Sequence, residues 1–167
     1  MGENMEFRDN LRILAEAIER ESVLIHRSAL IDGYKELFKL NAIGVGKFVK
    51  KAAELGGKKG AITLKERYEV ATDKLSEALD LLTIIAESSR LITFMETSLD
   101  KMEIYIEGSI LVEAIPESKK PVCEPMAGFF SGFLTELLQT KYNVTEISCQ
   151  AQGHEKCIFR IKKEAPK

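Results

Sequence analysis

The hydrophobic period of this chain changes once, near Leu91, and that change restricts the fold more than any other feature. Before it, apolar residues recur at helical spacing: Phe7, Leu11, Leu14 and Ile18, then Leu30, Tyr34, Leu37 and Phe38, then Leu75, Leu79, Leu82 and Ala86. After it, Leu91 to Thr97 is rich in strand formers. Met102, Ile104 and Ile106 then alternate with Glu103, Tyr105 and Glu107. Helices followed by alternating strands predict an α+β fold. The expected architecture is a set of N-terminal helices packed on an antiparallel sheet of two C-terminal hairpins, with one buried helix between them.

The punctuation refines this picture. An amphipathic helix is expected over 5–20, and Ser22 to His26 reads as a short strand or a link. Ser28 is a candidate N-cap for a helix reaching about Leu40. Asn41 and Gly44 loosen the chain, and a further helix should run from about Val45 to Leu55 and stop at Gly56-Gly57. The stretch GGKKG lacks the Ser or Thr of a phosphate loop, so it reads as a helix break with solvated lysines. A long helical pattern covers 64–88, with Thr72 or Asp73 as a cap within it. Leu99-Asp100-Lys101 serves as a hairpin turn. Pro116 to Pro121 is a polar loop, and Pro125 marks the first turn of a helix reaching about Gln139. That helix is apolar on most faces, and Gly128, Ser131 and Gly132 would let another backbone approach closely. Asn143 to Gln150 and Cys157 to Lys162 read as strands around a turn at 152–155.

Charge and length exclude several classes. The 167 residues carry 24 basic and 26 acidic side chains, so no nucleic-acid surface or polybasic anchor is expected. No apolar run approaches the ~20 residues that span a bilayer. The start, MGENMEFRDN, has no apolar signal core, so a cytoplasmic location is expected. By length, a single domain over 1–167 is expected, with an N-terminal helix in 1–21 and a metal-binding segment in 116–164.

All three cysteines, Cys123, Cys149 and Cys157, fall in the last 45 residues. An odd count in a reducing compartment argues against a disulfide framework. Cys149 and Cys157 bracket the last turn, Glu146 stands three positions before Cys149, and Cys123 opens the apolar helix. Three thiolates and a carboxylate are a donor set that zinc accepts. A regular strand would turn Glu146 and Cys149 to opposite faces, so they can share a metal only if the strand bulges or ends near Ser148. Spacing alone leaves the metal site and three inert, packed cysteines equally open, with a Cys149–Cys157 redox pair as a third reading.

The block PVCEPMAGFFSGFLTELLQTKYNVTEISCQAQGHEKCIFRI resembles the C-terminal half of the 4-vinyl reductase domain family. The shared signature is a Cys before a Gly-rich apolar helix, then Glu-x-x-Cys, seven residues, and a Cys followed by an aromatic. It is met by Cys123, Gly128, Gly132, Glu146, Cys149, Gly153, Cys157 and Phe159. The family includes a bacteriochlorophyll-synthesis protein and the sensor domains of phenol- and xylene-responsive activators, and is related to subunits of a Golgi tethering complex. The resemblance implies an α+β ligand-binding domain, dimeric, with zinc on Cys123, Glu146, Cys149 and Cys157.

The family name points to a reductase of a vinyl or tetrapyrrole substrate, but the chain has no GxGxxG turn for a nicotinamide or flavin. It has no Trp, and its two histidines are His26 and His154, so the sensors' phenol contacts have no counterpart. The expectation is therefore a non-catalytic, zinc-containing homodimer that binds an apolar small molecule, without direct nucleic-acid or membrane contact. A reductase, or a tethering-type scaffold without ligand, are the alternatives. Phe94, Met95, Tyr105, Phe129, Phe130 and Phe133 are the candidates for a pocket lining.

Overall fold

The structure is a computed structural model and describes residues 25–40 and 45–164. The expected helix over 5–20, most of the Ser22 to His26 segment and the break at 41–44 lie outside the described residues. Three helices come first: α1 (Arg27–Lys39), α2 (Val45–Tyr68) and α3 (Leu75–Ser88). Then follow β1 (Phe94–Ser98), β2 (Glu103–Glu107), the short α4 (Ile110–Ala114), α5 (Glu124–Leu137), β3 (Tyr142–Ser148), a 3₁₀ turn (Gln150–Gln152) and β4 (Cys157–Lys163). The strands form one antiparallel sheet in the order β1-β2-β4-β3, so the expected α+β class is met.

The two hairpins join through β2 and β4, where Ile104 faces Phe159 and Ile106 faces Cys157. The alternation read from the sequence selects the buried face: Ile104, Ile106, Val144, Phe159 and Ile161 are all inward. Both edges are closed by side chains. The Met95 N–H of β1 donates to Glu87 Oε1 at 2.9 Å. On β3, the N–H groups of Tyr142 and Val144 donate to Thr135 Oγ1 and Ser131 Oγ of α5, at 3.0 and 2.8 Å. Neither edge is left as a free template for another strand.

The largest departure from the sequence reading is α2. The chain does not stop at Gly56-Gly57; it stays helical through GGKKG to Tyr68. The glycines there serve packing. A Cβ on Gly57 would lie 2.1 Å from Phe129 O, one on Gly128 2.3 Å from Lys50 O, and one on Gly132 1.9 Å from Glu54 O. α2 and α5 therefore touch backbone to backbone, and the helix cost of ~1 kcal/mol per glycine is offset by that contact. Lys65 and Lys58 add ion pairs to Glu136 at 2.6 and 3.5 Å.

The expected helix over 64–88 is two helices. Glu69 takes a left-handed φ of 54°, and the Val70 N–H turns back to Leu64 O at 3.1 Å, burying Val70. Ser28 does not cap α1: the cap position is His26, and Ile31 is the buried residue of that helix, while Leu30 and Leu37 are exposed. The cap of α3 is Lys74; Thr72 accepts its N–H at 3.1 Å and donates to Glu77. α4 replaces what read as loop, and Ser109 caps it by accepting the Leu111 N–H at 3.1 Å. The faces expected on α3 and the start of α5 at Pro125 are as the sequence indicated.

Candidate metal centre

Three separate elements deliver the four sequence-selected residues to one place. Cys123 is the cap position of α5, Glu146 lies on the inward face of β3, Cys149 follows the end of β3, and Cys157 opens β4. The strand irregularity required by the sequence argument is present. The β3–β4 register shifts between Glu146 and Ser148, so Glu146 and Cys149 reach the same side. One donor atom from each of the four lies within 4.8 Å of every other, and all four residues are buried.

The sulfurs are close without being bonded. Cys123 Sγ is 3.9 Å from Cys157 Sγ, and Cys157 Sγ is 3.7 Å from Cys149 Sγ. A disulfide needs about 2.05 Å, so these are free cysteines. Glu146 Oε2 accepts the backbone N–H of Cys123 at 2.8 Å. Its other oxygen, Oε1, is buried with no hydrogen-bond partner, the one such side-chain atom among the described residues. A buried, unpartnered carboxylate oxygen beside three thiols is an orphan that a cation would satisfy. The residues present therefore fit a metal ion.

The electrostatics point the same way. Burial pushes the Glu146 carboxyl up to about 9, with the Cys149 charge adding to it. Hydrogen bonds from Cys123 and Cys157 pull the Cys149 thiol far down, and bonds to Cys149 and Cys157 push Cys123 up. The leading influences on each of these groups are one another, burial and backbone N–H groups, with no cationic side chain among them. Such a cluster cannot carry its full negative charge without a bound cation. The Gln150 N–H also donates to Cys157 Sγ at 3.2 Å, the kind of outer contact that orients a thiolate ligand.

A second feature adjoins the first. A cavity of about 370 Å³ lies between α5, α3 and α4, with Met126, Phe129 and Phe130 on one wall and Ile85, Ile110 and Leu111 on the other. Of the expected lining residues, Phe129 and Phe130 belong to it; Phe133 is fully buried in the core, and Phe94, Met95 and Tyr105 lie on the first hairpin. The contributions of Ala53, α3 and α4 were not read from the sequence, because helical spacing marks a face as apolar without saying whether protein or a guest fills the space. Ser109 joins the two features: its buried hydroxyl is 3.4 Å from Cys123 Sγ and 3.7 Å from Met126 Sδ. The residues Gly108-Ser109 ahead of the apolar run ILVEA were the available signal for that cap.

Residues 102–163 match the vinyl 4-reductase domain. The matched segment contains all four clustered residues, and the family resemblance read from the sequence is borne out. An uncharacterised protein of Methanocaldococcus jannaschii is 36% identical over 44 residues, which is 26% of this chain and 27% of that protein. The match thus spans about a quarter of that relative's length.

Three solved structures share the fold. The phenol-responsive sensory domain of the transcription activator PoxR, solved with phenol, superposes with a TM-score of 0.70 at 18% identity, covering 93% of this chain and 89% of that one. A vinyl-4-reductase family protein of Methanocaldococcus jannaschii gives 0.59 at 22%, covering 95% of each. A trafficking protein particle complex subunit 3 of Naegleria fowleri, covalently bound to palmitic acid, gives 0.65 at 14%, covering 83% of this chain and 95% of that one. The likeness to these chains extends well beyond residues 102–163, into the helices that carry the far wall of the cavity.

Proposed function

We propose that this protein is a non-catalytic sensing module, in which zinc on Cys123, Glu146, Cys149 and Cys157 holds the frame of a pocket for an apolar small molecule. The observation that carries the reading is the first turn of α5. Cys123 stands at its cap, and Pro125 and Met126, two and three residues later, line the cavity. One helix start thus serves both features.

Several facts support zinc in particular. A tetrahedron with Zn–S bonds of about 2.3 Å has edges of ~3.8 Å, and the two sulfur separations are 3.9 and 3.7 Å. A thiolate-rich set selects zinc over magnesium or calcium. Four protein donors complete the tetrahedron and leave no position for a substrate, which favours a structural ion over a catalytic one. The pocket volume falls in the range of small-molecule sites, ~300–1,000 Å³. PoxR holds phenol and the Naegleria subunit holds palmitic acid in this fold, which supports an apolar guest here. A cytoplasmic homodimer is part of the proposal; among the described residues no helix is long and apolar enough to cross a membrane.

Native mass spectrometry of gently purified protein, together with elemental analysis, tests the reading. One zinc per chain and a co-purified small molecule are expected. Absence of both would overturn it, and zinc without any guest would favour a scaffold.

A further inference from the structure

The lining of the cavity also constrains what it can hold. We infer that its ligand is a neutral hydrocarbon-like molecule whose buried part carries no hydroxyl, amine or carboxylate. This rests on the pocket reading above and narrows it to a chemical class.

Among the described residues that line the cavity, Ser89 alone has a hydrogen-bonding side chain. Its hydroxyl is already committed, donating to Ala86 O at 2.9 Å at the end of α3. The neighbouring backbone is committed as well. The N–H groups of Ser89 and Arg90 bond to Ile85 O and Glu87 O, that of Ile110 to Leu91 O, and that of Met126 to Cys123 O. Pro125 has no N–H to offer. No lysine, arginine or histidine lines the space. A ligand hydroxyl entering it would leave water for nothing, and a carboxylate would fare worse. The walls reward the opposite chemistry: the faces and edges of Phe129 and Phe130, the branched chains of Ile85 and Ile110, and the polarisable sulfur of Met126.

Covalent capture of an acyl chain by a thiol is also unavailable. The chain has three cysteines, and all three are fully buried in the metal cluster, none of them lining the cavity. A pocket of this kind discriminates by shape and by desolvation alone. The cost of stripping one hydroxyl predicts a preference of roughly ten- to a hundredfold for the hydrocarbon over its hydroxylated analogue.

The test is isothermal titration of the zinc-loaded full chain with toluene, phenol and benzoate. Toluene should bind at least about tenfold tighter than phenol, with no binding of benzoate. Ala53→Trp, which fills the cavity from α2, should abolish toluene binding; Leu111→Trp does the same from the opposite wall should the first variant not fold. Ser89→Ala should leave the toluene-to-phenol ratio unchanged. Phenol or benzoate binding as tightly as toluene, or a loss of phenol binding alone in Ser89→Ala, overturns the inference and leaves the pocket reading intact. If none of the three compounds binds, the proposed function falls with it.

Discussion

Ser109 Oγ lies 3.4 Å from Cys123 Sγ, at the buried junction of the cysteine cluster and the apolar cavity. The same oxygen accepts the Leu111 N–H and so starts α4. Ser109→Ala removes both contacts. It should cost about 1 kcal/mol of stability through the lost cap and weaken metal affinity about tenfold through the lost outer contact. Competition against a chelator of known affinity measures the second effect; an unchanged affinity would confine Ser109 to capping.

Metal removal should be felt across the whole C-terminal half. The ion would pin the start of α5 to the β3–β4 hairpin, and binding energy at such a site is folding energy. Chelation, Cys123→Ser or Cys157→Ser should each lower the melting midpoint by at least ~10 °C. Glu146→Gln should cost less, because an amide oxygen keeps the Cys123 N–H bond. Circular dichroism melts with and without chelator decide the matter, and coincident curves would exclude a structural ion.

The pH dependence should differ in slope between the two forms. In the metal-free fold, burial raises Glu146 to about 9 from 4.5, and Cys149 is drawn well below 9.0 by its Cys123 and Cys157 hydrogen bonds. Taken alone, the raised Glu146 would remove stability as pH rises from about 4.5 to 9. The depressed Cys149 would add stability over that range. The fold holds one proton that the unfolded chain lacks and lacks one that it holds, so the cluster contributes no slope between about pH 5 and 8. With the ion bound, all four ligands are deprotonated while the unfolded chain keeps its thiol protons, so stability rises with pH. Unfolding midpoints across this range, with and without metal, should diverge toward alkaline pH; parallel lines would refute the assignment.

Glycine substitutions should separate packing from propensity. Gly132→Ala places a methyl 1.9 Å from Glu54 O, where only a backbone shift can make room, and Gly57→Ala meets Phe129 O at 2.1 Å. Each should cost about 3 kcal/mol. Gly60, on the same helix as Gly57, has nothing within 4 Å of an added Cβ. Gly60→Ala should therefore stabilise by about 0.5–1 kcal/mol. Chemical denaturation of the three variants checks the order.

The same glycines explain where the sequence was legible. The cluster could be read because a metal site demands particular side chains, and the β3 irregularity follows from needing Glu146 and Cys149 on one side. The strand faces were readable because alternation is local. GGKKG misled because a glycine that ends a helix and one that admits a neighbour look alike until the neighbour, α5, is known. The division at Glu69 was hidden because a glutamate takes the left-handed position there, driven by burial of Val70.

Contact of backbone with backbone between α2 and α5 leaves no side chains to yield, so that pair forms the fixed jaw of the cavity. A guest larger than the resting space has to push on the other jaw, and α4 is its smallest part, five residues long. Arg27 of α1 grips Glu113 of α4 through an ion pair and also holds Arg90 O, just beyond α3. The size of the guest is thereby converted into the position of α1, whose Tyr34 hydroxyl reaches back to the Val122 carbonyl beside the first cysteine.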